Sequence, residues 1–391
     1  MRVGVAAAGR YHLLDLAREL DALGIDVRFY SFVPWNMAKK FGLRRCCHVG
    51  FLFVLFPLVM MERLFPRVLP GLIERLMCYA LDIALILRMR RCDVLICMSG
   101  LYLWAPRYAK WRYGAQIHVH RSSRHILSQK EILEALPGAR QVSDFMVSRE
   151  LAGYALADHI IVPSIHVAES FAPWPKCAAK LVINPLGVDL AQFPMRQTSK
   201  AEQLTVLFVG QWSYRKGVDV LCAAVRQLPT VKLVHVGTLE DAPFPGEPQY
   251  EHHDHVPQMD LPDYYAIAHL FVLASREDGF GVVLSQALAS GLRVVCTERT
   301  GGPDLVRLAG IARLIKIVPP GEPNALSDAI AQSLSDLTNS SVSPINDCER
   351  SKLGWRAYGE RTLESMRLGM SRDRLEQMQP NYASAGHTRA Y

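Results

Sequence analysis

Hydrophobic positions divide the chain before any motif is considered. An apolar run, Arg2–Ala8, ends in a turn at Gly9, after which Leu13, Leu16, Leu20 and Leu23 recur with Asp15, Arg18, Glu19 and Asp21 facing away. That spacing predicts an amphipathic helix from about Tyr11, stopped by Gly24. A second apolar run, Asp26–Phe32, completes a strand–helix–strand opening, which implies parallel strands. Further strands are predicted at Val94–Met98, Gln116–His120, His159–Pro163 and Leu181–Asn184, with a mostly helical insert between Pro34 and Arg91. From residue 204 the alternation is regular. Strands at Leu204–Val209, Val231–Val236, Leu270–Ala274, Arg293–Thr297 and Ala312–Ile317 alternate with helical patterns near Gly217–Leu228, Pro262–Ala268, Val282–Ser290 and Asn324–Leu337. This pattern predicts an α/β protein of two Rossmann-like, doubly wound parallel-sheet domains facing a cleft. The expected division is 1–195 and 196–372, joined near Pro194–Gln203 where the chain turns polar, with a disordered tail over 373–391.

Composition supports that reading and narrows the setting. A chain of 391 residues, half of them hydrophobic, suits two cores. Nine cysteines without framework or zinc-ribbon spacing suggest free thiols in a reducing, cytoplasmic compartment. The N-terminal apolar run is too short for a signal peptide and passes straight into a charged helix, so it reads as a strand. The longest apolar stretch, Val49–Met61, has 13 residues, short of the roughly 20 that span a bilayer. A soluble or peripheral protein is expected. The net charge of +7 suits nucleotide phosphates or lipid head groups, and no basic stripe with interleaved aromatics points to nucleic acid. Lys39, Lys40, Arg44 and Arg45 precede the run Phe51–Met61, a combination that fits an anionic membrane surface as well as packing in the first domain.

The chemistry is expected just after strands, at their carboxyl ends. One such segment is Gly210-Gln211-Trp212-Ser213-Tyr214-Arg215-Lys216-Gly217, which leads a cationic pair into a helix N-terminus suited to phosphate. Taken alone, Arg215-Lys216 is as well explained as a solvated turn. A second segment runs from Ser275 through Asp278-Gly279-Phe280-Gly281 to Gln286 and Gly291. There Gly279 and Gly281 allow close backbone approach to a ligand, Asp278 can hold sugar hydroxyls, and Gln286 lies one turn into the helix within reach of a ribose.

This second segment resembles the donor-site motif of the family 4 glycosyltransferases of the GT-B fold, in which two glutamates separated by seven residues flank Gly-Phe-Gly. Asp278 and Gln286 stand at the glutamate positions, and Gln211 stands where arginine is usual. Lys216-Gly217, Thr300-Gly301-Gly302-Pro303-Asp304, Ala157–Ser164 and Asn184–Asp189 are similar to other segments of the family. The resemblance implies a retaining transfer from a nucleotide-diphosphate sugar, with no cofactor and no metal. It implies a donor site of Gly9, Arg215, Lys216, Val256, Asp278, Phe280, Gly281, Val282, Val283 and Gln286. Lys216 would take the phosphate charge and Val256 would lie near the base. His120 is the sugar-facing candidate at the end of its strand, with His118 two residues before it, and Arg121 and His125 are acceptor-side candidates. A glycan or lipid-linked acceptor, in surface polysaccharide or glycolipid assembly, is the implied partner. The cluster His252-His253-Asp254-His255 is read as a loop and not a metal site, and Trp355 as packing for a last helix that crosses back to the first domain. The departures at Gln211, Asp278 and Gln286 leave room for a non-catalytic nucleotide-sugar-binding scaffold. A GT-B sugar-nucleotide epimerase would need a pair of catalytic acids, which the sequence does not present.

Overall fold

The computed structural model describes residues 1–51, 56, 60, 70–139, 141–195, 203–338 and 342–378. The first sheet uses β1 (Arg2–Ala6), β2 (Asp26–Ser31), β3 (His48–Gly50), β4 (Val94–Met98), β5 (Gln116–His120), β6 (His159–Val162) and β7 (Leu181–Ile183). The second uses β8 (Thr205–Val209), β9 (Lys232–Val236), β10 (Tyr250–His253), β11 (Leu270–Leu273), β12 (Arg293–Thr297) and β13 (Ile315–Val318). Their orders are β3-β2-β1-β4-β5-β6-β7 and β10-β9-β8-β11-β12-β13, parallel throughout. In each sheet the order of winding reverses between two central strands, β1 and β4 in the first, β8 and β11 in the second. Such a switch point opens a crevice at the strand ends.

The helices of the first half are α1 (Tyr11–Ala22), α2 (Trp35–Lys40), α3 (Pro70–Arg88), α4 (Trp104–Tyr113), α5 (Ile126–Glu134), α6 (Asp144–Leu156), α7 (Ile165–Glu169) and α8 (Pro175–Ala178). Those of the second are α9 (Val218–Val225), α10 (Leu261–Ile267), α11 (Val282–Ala289), α12 (Gly302–Ala309), α13 (Pro323–Thr338), α14 (Asp347–Ser351) and α15 (Trp355–Met378). Strand alternation decides which helices cover which face. Val3, Val5 and Ile96 pack with Leu13, Leu16 and Leu20 of α1. Ala6, Leu95 and Cys97 point the other way, onto Leu81 and Leu85 of α3 and Ala105 and Ala109 of α4.

The last helix returns to the first half. A Cβ on Gly359 would lie 2.8 Å from the Cβ of Glu19, so α15 crosses α1 closely there. Its start is stitched to the segment after β7: Val188 N–H donates to Leu353 O (2.9 Å) and Trp355 N–H to Val188 O (3.2 Å). Gly187 is required at this crossing, because a Cβ would meet Trp355 Cα at 2.7 Å.

The structure departs from the sequence pattern in several places. The edge strands β3 and β10 lie where no strand is predicted, because three residues, or Tyr-Glu-His-His, carry no apolar period. His252 and His253 therefore lie in a strand and not a loop. Ala312–Leu314 is a 3-10 turn that precedes β13. The last helix runs to Met378, so residues 373–378 are helical rather than tail, consistent with good helix formers and no Gly or Pro there. Residues 379–391 and the expected join at 196–202 lie outside the described residues. So do 52–55, 57–59 and 61 of the proposed membrane segment. In its described part, Phe51 is buried and stacks on Tyr30, while Arg44 pairs with Asp21. All nine cysteines are free, and among the described residues no helix is long and apolar enough to cross a membrane.

Candidate active site

The loops after β8 and β11 meet at the switch point of the second sheet, and glycines let them meet. After β8 the chain makes a 3-10 turn, Tyr214–Lys216, closed by Gly217 in the left-handed region (φ 68°). A Cβ on Gly217 would lie 2.0 Å from the carbonyl oxygen of Ala274, so only glycine lets this turn sit on the end of β11. Lys216 Nζ thereby forms an ion pair with Asp278 Oδ2. Asp278 is held further by its own N–H, which donates to Arg299 O (3.0 Å), and by Phe280 N–H, which donates to Oδ1 (3.4 Å). Burial pushes the Asp278 carboxyl up, but Lys216 and Arg215 outweigh it and hold it below the ordinary aspartate value. Asp278 is thus ionised, and its side chain retains 16% exposure.

Gly281 (φ 72°) precedes α11 and turns the loop into the helix, where Val282 and Val283 form the half-buried first turn. The first amides of a helix have no intrahelical acceptor and carry the positive end of its dipole. Gln286, one turn on, is buried, and its Oε1 accepts a hydrogen bond from the hydroxyl of Tyr265 (2.9 Å). That leaves the amide NH₂ as the group Gln286 can offer to a ligand. Val256 follows β10 and is half-buried against the same core. Gly9 follows β1 at the switch point of the first sheet. A Cβ there would come 3.2 Å from the ring of Tyr11, whose own φ is 37°.

Other predicted residues take structural places. Phe280 does not face the cleft; its ring is buried beneath Gly301, where a Cβ would be 2.2 Å away, and its carbonyl accepts from Gly301 N–H (2.7 Å). Arg215 donates to the carbonyl (3.2 Å) and a carboxylate oxygen (3.4 Å) of buried Glu277, bracing the loop. Arg121 is spent on Glu150 (2.6 Å), Gln129 (2.6 Å) and the carbonyl of Arg124, which removes it from the acceptor side. His125 is fully buried, stacked on Trp174 with ring centroids 3.6 Å apart and flanked by Tyr154 and Phe171, so it too is a packing residue. Burial lowers its pKa to about 4.

His120 ends β5, buried between α1 and α15. Its Nδ1 lies 3.1 Å from Nε2 of His12 and 3.5 Å from the hydroxyl of Tyr358. Burial, with His12 and His118 nearby, pushes its pKa well below the usual value, so the ring is neutral. Its Nε2 has no partner among the described residues. His118 is also buried, not opposed to His120, since residues two apart in a strand share a face. In the histidine cluster, His252 stacks on His235 and His253 bonds Glu251. Among the described residues no three His, Cys, Asp or Glu converge to hold a metal.

Apart from the returning last helix, the contacts that join the two halves have little counterpart in the sequence pattern. Gly279 packs closely on the first half: a Cβ on it would lie 1.6 Å from the carbonyl oxygen of Ser122. Its own carbonyl accepts from the hydroxyl of Ser164 (2.6 Å). Asp304 Oδ1 accepts from Ile165 N–H (3.0 Å), and Arg10 Nη1 donates to Gln258 Oε1 (2.6 Å). The partners in each pair are far apart in the chain and share no local pattern. Only the Gly-Gly-Pro-Asp run around Asp304 carries a signal. A cavity of about 510 Å³ lined by Asp189, Trp355 and Glu360 lies away from Lys216 and holds none of these groups.

Asp304 supplies a test of this joint. Burial raises its pKa from 3.8 to about 6 against the opposing bond from Ile165, and its Oδ2 is buried without a partner. Between those values the folded protein keeps a proton that the unfolded chain has lost, so stability falls as pH rises through that window and is level above it. Asp304→Asn keeps the acceptor for Ile165 and cannot ionise. We predict that it melts like the parent near pH 4 and is more stable at pH 7 by roughly 2–3 kcal/mol. Parallel melting curves whose separation does not change with pH contradict this.

Two parallel-sheet units with their chemistry at facing switch points define the GT-B class. Residues 9–192 match Glycosyltransferase Family 4 and residues 203–336 match Glycosyl transferases group 1. The chain belongs to the family 4 glycosyltransferases of the GT-B fold. It is similar to O-antigen chain mannosyltransferase B of Escherichia coli, 39% identical over 82 residues, 21% of this chain and 20% of that one. It is also similar to the putative teichuronic acid biosynthesis glycosyltransferase TuaC of Bacillus subtilis, 30% identical over 164 residues, 38% of this chain and 40% of that one. The chain thus spans well under two thirds of these relatives. HepE of Anabaena, solved with UDP and glucose, shares the fold with a TM-score of 0.64 at 15% identity, over 94% of this chain and 99% of that one.

Proposed function

We propose that this chain transfers a sugar from a nucleotide-diphosphate sugar to a glycan or lipid-linked acceptor in surface polysaccharide or glycolipid assembly at the cytoplasmic face of a membrane. The observation that carries it is the Lys216–Asp278 pair beside the start of α11, at the switch point of the second sheet. In this reading the bond from the anomeric carbon to the diphosphate oxygen breaks and its electron pair leaves with the nucleotide. The acceptor hydroxyl bonds that carbon on the same face and gives its proton to the departing phosphate. Lys216 and the amides of Val282 and Val283 take the charge that develops, in the place of a metal. Asp278 orients Lys216, Gln286 holds the ribose, and Val256 lies near the base. Gly9 lets the donor approach β1, and neutral His120 offers its unpartnered Nε2 to the sugar. The names of the relatives, in O-antigen and teichuronic acid assembly, agree with this substrate class. The test is nucleotide release from a panel of nucleotide sugars, and a protein that binds them but releases nucleotide from none is not a transferase.

Gln286 gives a finer check. Tyr265 occupies one oxygen, so Gln286→Glu would turn a carboxylate oxygen toward the ribose hydroxyls in place of the amide. A charge-assisted bond is stronger than a neutral one, and donor KM is expected to fall about fivefold with kcat little changed. An unchanged KM removes Gln286 from the donor site.

The second reading, a non-catalytic scaffold, is favoured by Gln211, where the family's usual arginine is replaced and the amide is tied to Glu240 (2.7 Å). It predicts that nucleotides raise the melting temperature while no donor is ever turned over.

A further inference from the structure

The helices α3 and α4 cover the face of the first sheet opposite α1, and their outer side is unusually apolar. Leu72, Leu76, Tyr79, Ile83 and Leu87 of α3 are exposed at spacings of four, three, four and four, which align them in one stripe about 22 Å long. Ile83 is 50% and Leu87 76% exposed. On α4, Trp104 and Trp111 stand two turns apart and are 49% and 80% exposed. The ring centroids of Tyr79 and Trp104 are 5.4 Å apart, so the two helices present one continuous surface. The opposite side of α3, with Ile73, Leu81 and Leu85, is already buried in the core. The stripe is therefore additional to what folding requires. A helix with a second apolar face opposite its core face has surface left for a second covering.

The exposed charges on α3, α4 and the chain between them that lack an opposite partner among the described residues are basic. Arg88, Arg90, Arg91, Arg107 and Arg112 are exposed and have no carboxylate partner among the described residues. The acids of α3 turn inward: Asp82 is fully buried and accepts from the amides that begin α4, and Glu74 accepts from the hydroxyl of Ser143. The helix α4 has no acid at all. A second copy of this chain would bring these guanidinium groups against each other, which opposes a symmetric dimer through this face. Phospholipid head groups complement both features, since tryptophan rings seat at the interface and basic side chains meet anionic lipid.

We infer that the outer face of α3 and α4 docks on an anionic lipid bilayer through Ile83, Leu87, Trp104 and Trp111, set within a ring of arginines. Trp104 begins α4 just past the carboxyl end of β4, so the docked face reaches the cleft side of the first sheet. For its purpose, delivery of a lipid-linked acceptor, the inference rests on the transfer proposed above. Docking itself needs neither donor nor acceptor.

The test is sedimentation of the full chain with vesicles of phosphatidylcholine, with and without phosphatidylglycerol, alongside tryptophan emission. Binding only to the anionic vesicles is expected, with a blue-shifted emission and weakening by salt. Leu87→Ser combined with Trp111→Ser, and separately Arg90→Glu combined with Arg91→Glu, should each weaken binding about tenfold or more. All four positions are exposed, so melting temperature and nucleotide release from a soluble donor should be retained. Retained release with lost binding separates failure of docking from failure of the transfer reading. A parent chain that stays in the supernatant with anionic vesicles, or variants that bind as the parent does, overturns the inference. So does self-association in sedimentation velocity that the serine variant abolishes while vesicle binding is absent.

Discussion

Lys216→Ala is expected to lower kcat by about 10²- to 10³-fold, the scale seen when one preorganised donor to a developing negative charge is lost. The loss should fall on kcat more than on donor KM, because the diphosphate gains charge as the bond breaks and Lys216 answers that gain. The same substitution leaves Asp278 without its cation in a site with little solvent. Its carboxyl then rises toward or above the ordinary aspartate value, since burial remains and its main opponent is gone. Some stability is lost as well, and melting curves recorded in the assay buffer show whether the variant is folded where its rate is measured. Asp278→Asn breaks the same ion pair from the other side and leaves no unpaired carboxylate. It keeps the fork for Phe280 N–H, releases Lys216 from its ion pair, and should reduce turnover less than Lys216→Ala does. Equal turnover of the parent and Lys216→Ala would remove Lys216 from the chemistry.

Gly279→Ala should be the most damaging small substitution in the chain. Its Cβ would stand 1.6 Å from the carbonyl oxygen of Ser122, with the Cα of Ser123 at 3.2 Å. Both obstacles are backbone, so no rotamer change relieves the clash. The halves must separate at this point, breaking the bond from Ser164 to the Gly279 carbonyl. A cost of about 3–5 kcal/mol is expected, in the range reserved for steric overpacking and lost buried bonds. Turnover should fall by about 10²-fold or more, because a displacement of an ångström at the donor loop spoils alignment. Solution scattering should show an enlarged radius of gyration alongside the lower melting temperature. A variant as compact, stable and active as the parent would show that the two halves do not meet there. Gly281→Ala makes a useful contrast. Its φ of 72° and its clash with Leu273 at 2.7 Å lie within the second half, so it should destabilise without spreading the halves.

The parts of this architecture that are legible in the sequence are those with a local physical signature. Central strands such as β8 and β12 are buried along their whole length and carry apolar runs, Val206–Val209 and Val294–Cys296. The edge strands β3 and β10 are not legible, since one is three residues long and the other is largely polar. That Lys216 and Asp278 share one site can be anticipated, because each follows a strand and the family motif places both at the donor. What the side chains do there cannot. Arg121 and His125 come after a strand end, as a ligand-binding residue would, yet backbone periodicity does not set where a loop side chain points. Glu150 and Trp174, which claim them, lie on elements much further along the chain. Phe280 belongs to the donor motif, but its burial under Gly301 depends on a contact between two loops. Gly279 reads as a place of close approach, and only the fold names Ser122 as its neighbour.

The central claim is the position of a nucleotide diphosphate, and a crystal structure with a nucleoside diphosphate bound tests it most directly. The predicted result places the terminal phosphate within hydrogen-bond distance of Lys216 Nζ and of the amides of Val282 and Val283, with the ribose at Gln286. A diphosphate bound elsewhere, with the Lys216–Asp278 pair and the start of α11 untouched, would contradict it.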